Sequence, residues 1–340
     1  MRIRFLTSTP LDIRRGSGTY VGIQVLARAL TALGHSVELE TPRVKLPVYT
    51  FERILFNQSL PQSSGCDVTV GFDMDGYRIA REPRHVASLK GVIADEVRFE
   101  SGMTRLTMGM QARCERLHVE RAARVLVTSR YSAGRAREFY ELEREPVVVP
   151  ELIDLAAWRK WLGERPAAEP QNRTTRVLFV GRLYRRKRVD VLLAAAAIVR
   201  GRIPNLELRI VGNGPEGRRL HGQGPATWLG DVSRDQLVDE YNGCDIFCLP
   251  SVQEGFGIVL LEAMAAGKPI VAARAAAIPE VAPHGLLVEP DSAEALAAGI
   301  EELSLAPERR TAMAREGARW VEQFDAPRVA RLFLEAINGC

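Results

Sequence analysis

Four stretches of this chain combine residue types that could do chemistry. In the first, Glu254 and Glu262 stand eight apart around a glycine turn, Gly255-Phe256-Gly257-Ile258, and Glu262 falls about one turn into the helix expected to follow. A carboxylate beside the free N–H groups of a helix start suits a polyhydroxylated ligand, because the carboxylate accepts from sugar hydroxyls and the N–H groups donate. The plainer alternative is a capping Glu and an exposed helix Glu. In the second, Gly181-Arg182-Leu183-Tyr184-Arg185-Arg186-Lys187 follows an apolar strand. Cations at a helix start repel its dipole unless an anion lies between them, so Arg182 and Lys187 are candidates to clamp a diphosphate; a solvated basic loop is the alternative. The other two stretches are the turns around Gly16 and Gly18 and around Gly212 and Gly214. Small residues there let backbone N–H groups approach phosphate oxygens, although each also fits a simple tight turn. Neither completes a dinucleotide fingerprint or carries the lysine of a P-loop, which disfavours a nicotinamide enzyme.

These groups need a scaffold, and the hydrophobic pattern supplies one. Strand-length apolar runs alternate with helical stripes: a strand at 3–7, a helix at 20–33 closed by Gly34, and a strand at 36–40. Further strands are expected at 67–70, 85–89, 125–128 and 147–149, with a long basic helix at 105–123 and a helix toward Tyr140 capped near Ser129. A second series begins at 176–180. It continues with a helix at 189–200, strands at 206–211, 227–229, 246–249 and 269–272, and helices at 234–242 and 259–266. Three helices close the chain, at 293–303, 307–324 and 327–337. This is an α/β pattern in two tandem halves, and in open parallel sheets ligands bind at the carboxyl ends of the strands. The four stretches fall there.

Composition narrows the class. With 340 residues, 46% hydrophobic and 26% charged, the chain is an ordinary globular protein of about two domains, neither disordered nor collagen-like. No run approaches the roughly 20 apolar residues of a membrane span, and the N-terminus reads as a strand and not as a signal peptide. The five cysteines fit no disulfide framework or zinc spacing, so reduced thiols in the cytoplasm are expected. The net charge is +4, and the first half is the basic one. No nucleic-acid motif accompanies that charge. A solvated face is its usual meaning; contact with an anionic membrane surface, through the basic helix at 105–124, is the alternative.

The run 251–267, S-V-Q-E-G-F-G-I-V-L-L-E-A-M-A-A-G, followed by Lys268-Pro269, resembles the signature of glycosyltransferase family 4, the group 1 retaining glycosyltransferases. The resemblance extends through Gly181-Arg182, Lys187 and Asp190, through Gly212–Glu216, Leu229–Val232 and Gly285–Val288. It covers nearly all of 176–325 and is weaker in the first half. It implies the GT-B fold: an α/β chain of two Rossmann-like, doubly wound domains facing a central cleft. The boundaries expected are 1–154 for the acceptor domain, 155–175 for a linker, 176–324 for the nucleotide-sugar domain and 325–340 for a helix crossing back.

The resemblance also assigns roles. Arg182 and Lys187 would contact the donor diphosphate, and Glu254 would lie by the sugar hydroxyls with the N–H groups of Phe256, Gly257 and Ile258 nearby. Glu262 would bind the ribose, backbone at Val232 the base, and Gly16, Gly18, Gly212 and Gly214 the diphosphate or sugar. The activity implied is transfer of a hexose from a nucleoside-diphosphate sugar to an unidentified acceptor, without metal or cofactor, in the cytoplasm or at the inner membrane surface. A sugar-nucleotide epimerase or a non-catalytic sugar-nucleotide-binding subunit is the alternative. Two features depart from the family. Where many members carry a His in the first domain, this chain has Lys90, a poor general base unless its pKa is lowered. Asp73-Met74-Asp75 forms a D-x-D triplet of the kind that holds a metal in GT-A enzymes; here acceptor contact or a turn is expected of it.

Overall fold

The structure is a computed structural model that describes residues 1–9, 18–62, 65–165 and 174–338. The chain divides into two compact units, one made of 19–152 with the first strand and the last helix, the other of 153–325. No helix among the described residues is long and apolar enough to cross a membrane, and the four described cysteines are free.

The first unit contains β1 (Arg2–Leu6), α1 (Gly18–Ala32), β2 (Ser36–Glu40), α2 (Tyr49–Ser59), β3 (Val68–Phe72), β4 (His85–Leu89), a short α3 (Ile93–Glu96), α4 (Gly102–Arg121), β5 (Arg124–Val127), α5 (Arg130–Tyr140) and β6 (Val147–Val148). The strands pair in parallel in the order β2-β1-β3-β4-β5-β6. The order reverses beside β1, which places the topological switch point between β1 and β3. β3 and β4 are buried along their whole length, including the polar Thr69, His85 and Ser88. The last helix (Ala326–Asn338) belongs to this unit. Its residues Val329, Ala330, Phe333 and Ile337 recur at helical spacing in the core built by β1 and β3. Phe5 sits edge-on to both Phe72 and Phe333, with ring centroids at 5.1 and 5.9 Å. As expected, the Ser129 side chain caps α5, accepting from the Ser132 N–H at 3.0 Å.

The second unit runs α6 (Leu155–Gly163), β7 (Thr175–Val180), α7 (Val189–Arg200), β8 (Leu206–Val211), α8 (Gly217–Leu220), β9 (Ala226–Gly230), α9 (Arg234–Gly243), β10 (Ile246–Leu249), α10 (Ile258–Ala265), β11 (Ile270–Ala273), α11 (Ile278–Val281), β12 (Leu286–Val288), α12 (Ala293–Leu305) and α13 (Pro307–Trp320). Its parallel order, β12-β11-β10-β7-β8-β9, is that of a Rossmann sheet, with the switch point between β7 and β10. The segment 155–175 is the one expected as a linker. It opens with α6, capped by the Asp154 carboxylate on the Ala157 N–H at 2.9 Å. Trp158 from this helix is buried in the second core, edge-on to Tyr241 at 5.4 Å. Burying an aromatic side chain contributes about 1.5–3 kcal/mol, which gives an apparently irregular sequence a reason to fold.

Candidate active site

The candidate residues of the second unit collect at the carboxyl ends of its strands. β7 and β10 are neighbours, so the loops that follow them flank the switch point. The Val252 N–H donates to the Arg186 carbonyl at 2.9 Å and ties the two loops together. Lys187 Nζ then lies 2.5 Å from Glu254 Oε1, and both side chains are mostly buried. Arg182, from the same loop, is half-buried. Its guanidinium has no hydrogen-bond or carboxylate partner among the described residues, whereas Arg188 pairs with Asp291 and Arg176 with Glu207.

The glycines of the neighbouring loop have a definite task. A Cβ on Gly212 would lie 2.1 Å from the Gly181 carbonyl oxygen, and one on Gly214 would lie 2.5 Å from the Leu183 nitrogen. Gly212 also has φ 117°, a conformation that favours glycine. The loop after β8 thus packs backbone on backbone against the loop that carries Arg182, held by Leu183 N–H to Asn213 O at 3.1 Å and Glu216 N–H to Leu183 O at 2.9 Å. This internal close approach accounts for both glycines. Val232 follows β9, two strands from β7 along the same sheet.

Gly257, with φ 86°, is the cap position of α10, and no side chain caps that helix. Its first N–H groups, at Ile258 and Val259, therefore keep their donor capacity. Phe256 points the other way and is buried edge-on against Phe324. Glu262, on the next turn, accepts from the Tyr241 hydroxyl at 2.8 Å. Burial pushes its carboxyl up to about 7, against the opposing effect of that hydrogen bond. Sequence reasoning missed Tyr241, whose position on α9 looks like ordinary core.

Among the described residues, the carboxyl edge of the first sheet is internally satisfied. Lys90 Nζ lies 3.0 Å from Glu151 in a nearly buried pair and over the Phe72 ring. Gly22 makes room for this pair, since a Cβ there would lie 2.7 Å from Glu151 Oε2. Neither Glu151 nor Gly22 was singled out in the sequence. The two aspartates of the D-x-D triplet diverge. Asp75 is fully buried and accepts from the Ser8 N–H (2.6 Å), the Ser8 hydroxyl (2.7 Å), Asn57 (3.1 Å) and Arg53 (3.2 Å). That carboxylate holds the fold together. Asp73 sits in the left-handed region at φ 53° and accepts from the Lys90 N–H at 2.8 Å; burial pushes its carboxyl up to about 6. Beneath it, His118 Nδ1–H donates to the Asp73 carbonyl at 2.5 Å, and His118 Nε2 lies 2.8 Å from His85 Nε2. A carbonyl only accepts, so His118 carries its proton on Nδ1, takes a hydrogen bond from His85 Nε2–H, and leaves His85 Nδ1 without a partner. Burial holds both imidazoles neutral, His118 down to about 4. Gly18 begins α1, and Gly16 lies outside the described residues.

Residues 164–320 match the family of glycosyl transferases group 1. The matched segment, a little under half of the chain, is similar to a group 1 glycosyltransferase domain. Arg182, Lys187, Glu254 and Glu262 all lie within that segment. A D-inositol 3-phosphate glycosyltransferase of Segniliparus rotundus is 32% identical over 227 residues, which are 61% of this chain and 50% of that protein. The chain thus spans about half the length of the curated relatives it matches. Among solved structures, sucrose-phosphate synthase from Thermosynechococcus elongatus superposes over 100% of both chains with a TM-score of 0.80 at 21% identity. Anabaena HepE in complex with UDP-glucose does so over 100% of both with a TM-score of 0.71 at 20% identity. The fold is GT-B, with two doubly wound α/β units.

Proposed function

We propose that the protein is a retaining glycosyltransferase that moves a hexose from a nucleoside-diphosphate sugar to an acceptor hydroxyl without a metal ion. The observation that carries this reading is the half-buried Arg182 guanidinium, without a partner among the described residues, on the loop whose Lys187 pairs with Glu254 at the switch point of the second sheet. Such a cation keeps its donors for an anion, and a diphosphate is such an anion. HepE, of the same fold, is described in complex with UDP-glucose.

The chemistry follows from charge. Breaking the anomeric C–O bond leaves negative charge on the departing diphosphate. Arg182 and Lys187, with the uncapped N–H groups at the head of α10, stabilise that charge in the role a metal ion plays elsewhere. As Lys187 turns to the phosphate, Glu254 is released to accept from sugar hydroxyls. Glu262 accepts from the ribose hydroxyls, and backbone near Val232 meets the base. The acceptor oxygen attacks the anomeric carbon from the face the diphosphate leaves, and its proton passes to a phosphate oxygen, so no separate nucleophilic carboxylate is required. On the first unit, Asp73 and Lys90 are the acceptor-side candidates, and Lys90 would have to leave Glu151 to take that role.

A thermal-shift and hydrolysis panel of UDP-, GDP-, ADP- and TDP-sugars, with and without EDTA, tests the reading. One donor should stabilise the protein and be hydrolysed slowly, unaffected by EDTA. Absence of binding by every donor, or dependence on a divalent ion, would overturn it. Tight binding without any turnover would point to a sugar-nucleotide-binding subunit instead.

A further inference from the structure

Helix α2 buries one aromatic side chain, Phe56, against Leu6, Leu60 and Ile79. The rest of its buried face is polar: Thr50 and Arg53 hydrogen-bond Gln111 of α4, and Arg53 and Asn57 hold Asp75. At 100° per residue, Phe51 and Leu55 lie about 150° around the helix from that face. They are exposed, Phe51 by 51% and Leu55 by 42%. The helix cannot roll to bury them without pulling Arg53 away from the fully buried Asp75, which would strand a charge. The approach to the helix continues the exposed surface. Val44, exposed by 53%, and Val48 are exposed large apolar residues, interleaved with exposed Arg43 and Lys45. The nearby acid, Glu52, is turned back to accept from the Leu46 N–H at 2.9 Å.

We propose that this surface, formed by Arg43, Val44, Lys45, Val48, Phe51 and Leu55, docks on a bilayer carrying anionic lipid. Charge complementarity selects that occupant. Exposed aromatic and aliphatic side chains enter the boundary between headgroups and acyl chains, while interleaved basic residues stay at the level of the phosphates. A protein partner with an apolar groove would leave those cations to be desolvated. The surface differs from the basic helix suggested by the sequence, where Arg116 is already paired with Glu120 and Glu141. The inference stands on the first unit alone and does not rest on glycosyl transfer.

Co-sedimentation of the full chain with vesicles of phosphatidylglycerol and phosphatidylcholine, against vesicles of phosphatidylcholine alone, tests it. The protein should bind the anionic vesicles and weaken several-fold between 0.1 and 0.5 M NaCl, as screening requires. Phe51→Glu with Leu55→Glu should cut partitioning at least tenfold, and Arg43→Gln with Lys45→Gln should remove most of the salt dependence. Both double variants should keep the wild-type circular dichroism and urea midpoint, which separates loss of docking from loss of fold. Equal binding to both vesicle types, no binding by the wild type, or unchanged binding by the variants would overturn the proposal. A wild-type dimer in light scattering that Phe51→Glu with Leu55→Glu dissolves would overturn it in favour of a second copy of the chain.

Discussion

The carboxyl edges of the two parallel sheets carry similar residues and treat them in opposite ways. On the first, Lys90 is closed by Glu151, Arg53 by Asp75, and the start of α5 by Ser129. On the second, Lys187 has Glu254, but among the described residues Arg182 has no partner and no side chain caps the start of α10. Fully paired buried charges contribute to folding, whereas unpaired ones are poised for a ligand. Reading a sheet edge for function therefore means asking which polar groups the fold leaves unfinished, and not how many there are.

The sharpest way to break this contrast is to remove one cation from each edge. Lys90→Met should leave Glu151 buried and unpaired and lower unfolding free energy by about 3–5 kcal/mol in urea titration. Arg182→Ala should leave the urea midpoint in place and reduce donor turnover by about 10²–10³-fold, measured as kcat on the donor found in the panel. If the two variants exchanged these phenotypes, the assignment of the edges would be reversed.

A second contrast is in pH. Glu262 is raised to about 7. Its native form therefore holds the extra proton between its ordinary carboxyl range and 7, and its contribution to stability falls as pH rises through that window. A ligand that needs the ionised carboxylate should bind more tightly as pH rises toward 7, by at most about tenfold per unit, and Glu262→Gln should flatten that slope in calorimetric titrations. His118 runs the other way. Held down to about 4, it contributes stability that is present above its ordinary value near 6.5 and is lost as pH falls toward 4. All four tryptophans (158, 161, 228 and 320) lie in the second unit. On acidification, far-ultraviolet dichroism should lose amplitude before tryptophan fluorescence shifts; coincident transitions would show that the units unfold together.

The smallest expected effect concerns helix starts. Ser129→Ala removes a cap from the satisfied edge and should cost about 1 kcal/mol in the same urea titration, without affecting donor binding.

Much of the second unit was legible in the sequence. The strands Leu206–Val211 and Ile246–Leu249 and the helix Val189–Arg200 fall where the hydrophobic pattern places them: Ile246–Leu249 is fully buried and unbroken, Leu206–Val211 alternates with Glu207 and Arg209, and the helix carries an apolar stripe. α2 was not legible. Thr50, Arg53 and Asn57 face inward beside Phe56 while Phe51 and Leu55 face out, so its pattern contradicts the rule used to find helices. β12 is short and only partly buried, and α6 was hidden by its surroundings of Trp and Pro. At the site, Arg182, Lys187 and Glu254 stood out as polar residues immediately after apolar strands. That Lys187 meets Glu254 depends on β10 lying beside β7, and strand order is not written in local pattern. The same holds for Lys90 and Glu151, 61 residues apart.

The Lys187–Glu254 contact has a consequence for discrimination. If the proposed function holds, a lysine that already holds a carboxylate is a poor trap for inorganic phosphate, because capturing the anion would strand the glutamate. A lone sugar would fail for the converse reason, since it would occupy the glutamate and abandon the lysine. A molecule that carries phosphate and hydroxyls at the right separation would answer both demands in one step. On that proposal the ion pair works as a coincidence test that neither half of such a molecule passes by itself.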